Sequence, residues 1–341
     1  MTEPRIASAM AREIAEIPAA AERLLARADM FAATAERIER AKPRVVVFCG
    51  RGSSGHVGVY LRYLFETRLG MLASAAAPSV MTAYQRPPLL RDSLFVLISQ
   101  SGRSPDLVNA TEVARKYGAL TLAILNEEGS PVAAASELIL PIGAGREYSV
   151  AATKSVVLSM IAGAQIVAAL ADDGELNHGL QHLPRRLSDA LTCDWAPWAE
   201  RTASASAAFV AGRGYALGCV REIALKLAET LRIPALGYSA AELRHGPRAS
   251  ITPTTPVLVL RQNDQAAASI DELVHDLRDA GETVFTAGGS VGTLPWIGDN
   301  HPVCDPVVML IPAYLAIERA ARRQGFDPDN PPYLSKVTRT L

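Results

Sequence analysis

Several features are scarce or absent in this chain. Four cysteines occur in 341 residues, Cys49, Cys193, Cys219 and Cys304, and no two stand at a metal or disulfide-like spacing. That spacing excludes a cysteine-rich metal cluster and a disulfide scaffold, and predicts reduced, mostly buried thiols. No apolar run reaches the ~20 residues needed to span a bilayer. The opening stretch, MTEPRIASAMAREIAEIP, has acids among its apolar residues and no secretory core, so a cytoplasmic protein is expected. Neither sign of charge dominates: the formal net charge is -1. Nucleic acid and anionic membranes select a basic face, so neither is expected as the main partner. No G-x-x-x-x-G-K run occurs, and a nucleotide P-loop is therefore absent.

What is present is apolar and alternating. Hydrophobic residues make up 49% of the chain, enough for two domains with full cores. Residues 8–40 read as alanine-rich helix, broken once at Pro18. Short β-branched or apolar runs predict buried strands at Val45–Cys49, Leu94–Ile98, Leu120–Leu125 and Leu138–Ile142. Helical patterns cover Val57–Leu69, Leu107–Tyr117 and Ala151–Leu170. Strand and helix alternate, which predicts an α/β fold with parallel sheets covered on both faces.

The pattern then recurs. Val45–Glu66 resembles Ala207–Glu229; both read strand, Gly-Arg-Gly, helix. Leu94–Ile98 has its counterpart in Val257–Leu260, and Leu120–Leu125 in Thr283–Ala287. The offset from Gly50 to Gly212 is about 162 residues, the mark of a duplicated domain rather than a solenoid. The expected division is a helical segment at 1–43, a first domain at 44–193, a second at 194–330 and a tail at 331–341. The copies differ in one loop. After its second strand the first copy has Ser99-Gln100-Ser101-Gly102, and the second has Arg261-Gln262-Asn263-Asp264.

Two motifs compete for a ligand. Gly50-Arg51-Gly52-Ser53-Ser54-Gly55 is a literal G-x-G-x-x-G between strand and helix. The dinucleotide fingerprint also needs an acid about 20 residues on to hold a ribose, and Leu72–Pro78 has none. A nicotinamide cofactor is therefore the weaker reading. The serine loop supports another. Loops beyond the carboxyl ends of parallel strands feed helix N-termini, whose free amides attract anions. Ser99, Ser101 and Ser104 add hydroxyl donors, Ser53 and Ser54 sit in the equivalent loop of the first strand, and neither loop holds a lysine. Neutral donors of this kind suit a sugar phosphate. For Ser104 a plain helix cap before Pro105 is also expected.

These residues resemble the sugar isomerase (SIS) domain family, with two tandem SIS domains of flavodoxin-like, three-layer build. The match extends to the isomerase half of glucosamine-6-phosphate synthase. Met10–Pro18 is similar to that half's opening helix, and Cys49-Gly50 to the start of its first loop. Glu147-Tyr148-Ser149-Val150-Ala151-Ala152-Thr153-Lys154 resembles its E-x-x-V-A-S-T-K segment. Glu222–Glu229 resembles its E-x-x-x-L-K-x-x-E helix, Glu242-Leu243-Arg244-His245-Gly246-Pro247 its E-L-K-H-G-P segment, and Leu334-Ser335-Lys336 its L-A-K. Arg51-Gly52, Arg103 and Ala152 depart from the family pattern. No glutaminase-like segment with a leading cysteine is found, so ammonia is not expected to come from glutamine. The combination is similar to SIS-type glucosamine-6-phosphate deaminase.

The resemblance implies roles. Glu229 is the base carrying a proton between C1 and C2, and Lys226 orients or charge-balances it. Glu222, Lys226 and Glu229 share one helix face at i, i+4 and i+7. From spacing alone they read as a solvated stripe; the resemblance reverses that. His245 would open the sugar ring, a task suited to a group that exchanges protons near neutrality. Lys336, in a tail folded over the site, would contact the sugar near C1 and C2. Ser53, Ser54, Ser99, Gln100, Ser101, Ser104, Glu147, Val150 and Ala151 would bind substrate. No metal or organic cofactor is implied. His178 and His182, at i, i+4, read as surface on a helix that Pro184 ends. The implied assembly is a homodimer in which His245 enters the neighbouring subunit's site, with Ser155–Leu170 available as buried surface. The expected reaction converts glucosamine 6-phosphate to fructose 6-phosphate and ammonia. Rivals are galactosamine 6-phosphate or a fructosamine 6-phosphate as substrate, and a sugar-phosphate sensor without catalysis.

Overall fold

The structure, a computed structural model, describes residues 7–336. Helices α1 (Ala9–Leu25) and α2 (Ala28–Ala41) come first. Then β1 (Val45–Cys49), α3 (Ser53–Leu69), β2 (Leu72–Ala75), α4 (Pro78–Thr82), β3 (Ser93–Ser99) and α5 (Pro105–Lys116) alternate. They continue as β4 (Leu120–Leu125), α6 (Pro131–Ala135), β5 (Leu138–Pro141), α7 (Lys154–Leu170) and α8 (Gly174–Ala190). The rest is α9 (Ala196–Ala203), β6 (Ala208–Gly212), α10 (Ala216–Thr230), β7 (Ala235–Ser239), α11 (Ala240–His245), β8 (Val257–Leu260), α12 (Ala267–Asp279), β9 (Val284–Ala287) and α13 (Asp305–Arg323). The described chain forms two compact units. One comprises residues 19–145 and 155–182; the other comprises 7–18, 146–154 and 183–336.

The first unit holds a five-stranded sheet in the order β2-β1-β3-β4-β5, and every pairing is parallel. Central β3 is buried at all seven positions, which is why it reads as an unbroken apolar run. Phe95, Leu97, Ala110, Ala123, Leu125 and Val132 pack in its core. Edge strand β2 is Leu-Ala-Ser-Ala, with Leu72 68% exposed. Its composition carries little strand signal, and pairing with β1 makes it a strand. The second unit holds a four-stranded parallel sheet, β7-β6-β8-β9. Its core gathers Phe209, Val257, Val259, Ile270 and Leu273. Two sheets with the same order, 2-1-3-4, agree with the duplication read from the sequence.

Two expectations about proline are corrected. Pro18 lies inside α1, and the break between helices comes at Ala26-Arg27. Pro184 does not end its helix, since α8 runs on to Ala190. An interior proline costs ~3 kcal/mol. Burying Ile14, Ile17 and Leu24 in one case, and Leu183 and Leu187 in the other, offsets it at ~1.5–3 kcal/mol per side chain. Two helix starts also move. Helix α3 begins at Ser53, ahead of the expected Val57, and α7 begins at Lys154, after the expected Ala151. At Gly50 a β-carbon would lie 2.9 Å from the Ser54 carbonyl group, so only glycine lets the first turn of α3 fold back onto the end of β1. All four cysteines are buried free thiols, as expected.

Candidate active site

The chemistry-bearing residues form a serine loop in the first unit, and a buried charge array and the segment 146–154 in the second. In the first unit, adjacent strands β1 and β3 lead into helices α3 and α5 at the point where the strand order reverses, the usual ligand end of such a sheet. Ser53 and Ser54 are the first residues of α3, both half-buried. Ser99 ends β3, and its Oγ accepts the Gly102 N–H at 3.0 Å, closing the serine loop as a turn. Ser101 Oγ accepts the Arg103 N–H at 3.4 Å, and Gln100 is half-buried. Gly102 has φ +61°, and a β-carbon there would sit 2.2 Å from Ser130 Oγ. Glycine is required on both counts. Ser104 stands at the N-cap of α5, yet its side chain makes no cap bond. The expectation of a plain side-chain cap is corrected. Leu107 and Val108 donate instead to the Ser104 carbonyl, and the hydroxyl is left over.

The equivalent place in the second unit is plugged. Gln262 is fully buried, and its amide donates to the Arg213 carbonyl (2.8 Å) and to Asp264 Oδ2 (2.9 Å). The Gln262 side chain thereby fills the space beyond the end of β8. Of the duplicated loops, the one built of hydroxyls has no such buried amide bonded across it, and its Gln100 is half-buried.

The second cluster is a buried charge array. On α10, Lys226 Nζ lies 3.3 Å from Glu222 Oε1 and also binds Glu229. The side chains of Lys226 and Glu222 are wholly buried, and Glu229 keeps 20% exposure. The solvated-stripe reading is thereby excluded. Burial works against the Lys226 charge, but Glu222 and Glu229 outweigh it and hold the ammonium above its ordinary value. Tyr314, on the buried helix α13, donates to Glu222 Oε1 at 3.3 Å. Burial, then the Glu222 charge, push its hydroxyl well up, so it stays a donor. Glu229 is thus the one acid of the array that is tied to Lys226 and still meets solvent.

Segment 146–154 is organised by remote pieces of the same unit. Glu13 on α1 accepts the N–H groups of Tyr148 and Ser149. Burial raises the Glu13 carboxyl, against the pull of Tyr148. The Val150 N–H donates to the Asp329 carbonyl at 2.9 Å. Ala151 is buried, and Val150 is half-buried. The Glu147 side chain is wholly buried; it accepts from the Thr153 N–H (3.2 Å) and from Lys336 Nζ (3.0 Å). Lys336 also donates to the Ser149 carbonyl at 2.5 Å. Its tail residues 337–341 lie outside the described residues. Lys154 Nζ binds Glu16 Oε2 at 2.5 Å. His245 is the last residue of α11 and is exposed. Ser239 caps this helix by accepting the Glu242 N–H at 3.2 Å.

The structure brings Glu222, Lys226, Glu229 and Tyr314 together, and it joins Glu147 to Lys336. Sequence reading assigned no role to Glu13, Tyr314 or Asp106. Glu13 had a signal in the opening-helix match. Tyr314 sits in an apolar helix and had none. His178 and His182 are exposed on α8, their rings 4.3 Å apart, as expected for surface. Among the described residues no group of three His, Cys, Asp or Glu side chains is arranged to hold a metal ion. Burial pushes the Cys49 and Cys304 thiols up to about 12, so neither is a nucleophile at neutral pH. No helix among the described residues is long and apolar enough to cross a membrane.

Comparison with known proteins shows the family and the fold. The SIS domain family matches residues 39–169 and 203–286. A glutamine–fructose-6-phosphate aminotransferase (isomerizing) of Bradyrhizobium diazoefficiens is 32% identical over 305 residues, 84% of this chain and 50% of that protein. The chain spans about half the length of the curated relatives it matches. A crystal structure of a candidate phosphosugar isomerase from Silicibacter pomeroyi is 37% identical, with a TM-score of 0.90 over 95% of this chain and 100% of that one. The glucosamine-6-phosphate deaminase of Thermotoga maritima shares the fold, with a TM-score of 0.80 at 24% identity over 98% of this chain and 100% of that one. The chain belongs to the SIS domain family.

Proposed function

We propose that the protein is an amino-sugar-phosphate deaminase-isomerase acting on glucosamine 6-phosphate. The observation that carries this reading is the buried Glu222–Lys226–Glu229 array with its one partly exposed acid. A domain that only sensed a sugar phosphate would need the serine loop and no buried ammonium between two carboxylates. In the reaction His245 opens the ring. Glu229 takes the C2 proton and returns it to C1. Lys226 balances the charge of Glu229, and Tyr314 holds Glu222 in place. The resulting C2 imine is hydrolysed by water to fructose 6-phosphate and ammonia. Ser99, Ser101, Ser104 and the start of α3 hold the phosphate, and Lys336 contacts the sugar near C1 and C2.

Glucosamine 6-phosphate is expected to give fructose 6-phosphate and ammonia in equal amounts, with no glutamine and no added metal. A coupled ammonia assay over a panel of hexosamine and fructosamine phosphates measures this. Ammonia from none of them removes the enzyme reading and leaves the sensor.

The working unit in this proposal is a homodimer, with His245 serving the serine loop of a second copy. Its support is the exposed ring of His245 at the end of α11. Two inactive variants, Glu229→Gln and His245→Ala, are mixed after subunit exchange. Each mixed dimer then has one site with both defects and one with neither, so activity near half per mixed dimer is expected. If exchange is demonstrated and activity stays absent, His245 acts within its own chain.

A further inference from the structure

Arg51 in the first glycine loop departs from the family pattern, and the proposed reaction gives it no task. The structure gives it a partner. Its guanidinium donates through Nε (3.1 Å) and Nη2 (2.7 Å) to a single oxygen, Oδ2 of Asp106. Asp106 lies in the first turn of α5, and its other oxygen accepts the Leu107 N–H at 2.9 Å. The Asp106 side chain is wholly buried, whereas Arg51 is 53% exposed. One bridge therefore joins the loop after β1 to the helix that follows the serine loop, across 55 residues of sequence.

The sign of these charges raises a difficulty that the pair resolves. Neutral hydroxyls and helix amides are arranged at the ends of β1 and β3, yet a carboxylate is buried among them. Such a carboxylate suits a helix N-terminus by itself, but it repels a bound phosphate. Nε and Nη2 are spent on Asp106, and the ion pair so formed is neutral overall, so the carboxylate no longer presents an uncompensated charge at these loops. Cys49, the last residue of β1, reports the placement. Burial raises its thiol first, Asp106 raises it further, and Arg51 opposes.

We propose that Arg51 is a positioning residue of the phosphate site, which cancels the charge of the buried Asp106 and ties the two anion-binding loops together. This rests on the reading that the serine loop holds the substrate phosphate. The proposal separates charge balance from mere fastening. A fastener fails whichever partner is lost, whereas a charge balance is restored when both charges go.

The test uses the full chain and inorganic phosphate, with binding followed by titration calorimetry and folding by thermal melt. Arg51→Met is expected to weaken phosphate binding roughly tenfold or more, the range of a lost interaction with a charged group. It should raise KM for the sugar phosphate more than it lowers kcat. Asp106→Asn is expected to tighten phosphate binding at least about twofold, because it removes a repelling charge and keeps an acceptor for Arg51. The double variant should return to within about threefold of the parent, and Arg51→Lys should fall between parent and Met. Two outcomes overturn the inference: unchanged binding in Arg51→Met, or an Asp106→Asn that weakens binding while the double variant stays as poor as Arg51→Met. If Arg51→Met does not fold, Asp106→Asn decides alone, since weaker binding there refutes charge balance. Ser99→Ala and Ser101→Ala serve as controls. If the parent binds no phosphate and both serine variants are inert, the phosphate-site reading itself falls and takes the inference with it.

Discussion

Glu229→Gln is expected to lower turnover by about 10²–10⁴-fold, the usual share of a positioned general base. The amide keeps the shape and most of the hydrogen bonding of the carboxylate, and it cannot accept a proton in the transition state. Binding of inorganic phosphate should stay near the parent value, because the serine loop belongs to a different cluster of residues. In deuterated solvent the parent should place deuterium at C1 of fructose 6-phosphate, and the variant should place none. The result is diagnostic because Glu229, at 20% exposure, is the acid of the array that solvent reaches. Normal turnover and normal deuterium uptake in the variant would remove Glu229 from the chemistry and with it the proposed proton path.

Lys226→Met is expected to cost stability as well as activity. The ammonium stands between Glu222 and Glu229 with no exposure of its own. Its removal leaves Glu222 buried without its counter-charge, and breaking a buried pair from one side costs ~3–5 kcal/mol. That is a large share of the ~5–15 kcal/mol that holds a typical domain folded. Denaturant titration of the variant should show a lower midpoint with a similar slope. Glu222→Gln placed on top should recover much of the loss, because it removes the stranded charge while Tyr314 keeps an acceptor. An unchanged midpoint in Lys226→Met would mean that the array is open to water in solution. The pH dependence has a definite sign. The lysine's folded value is raised, so its contribution is fully present below the ordinary value of 10.5 and is lost as the pH climbs through the higher folded value. The array therefore predicts alkaline weakening of the fold and none near neutrality.

The sequence by itself determined the class of fold and the contrast between the two loops. Alternating apolar strand and helix patterns demand parallel sheets, and Val45–Glu66 repeats in Ala207–Glu229 because the same strand, turn and helix is built twice. These signals are local, written in periodicity and in turn residues such as Gly50 and Gly102. The turn at Ser99–Gly102 was legible for the same reason, since hydroxyls and a glycine directly after a buried strand mark a tight loop. Tertiary structure decided what depends on burial and on partners far along the chain. Spacing placed Glu222, Lys226 and Glu229 on one face, and packing against Tyr314 turned that face inward. Pro18 and Pro184 read as breaks because their local cost is visible in sequence, whereas the burial that offsets it is not. Glu13 reaches Ser149 across 136 positions, Lys336 reaches Glu147 across 189, and Arg51 reaches Asp106 across 55. A charge becomes a counter-ion only when the fold removes water from around it and brings its partner within hydrogen-bond distance, and neither condition has a signature in local pattern.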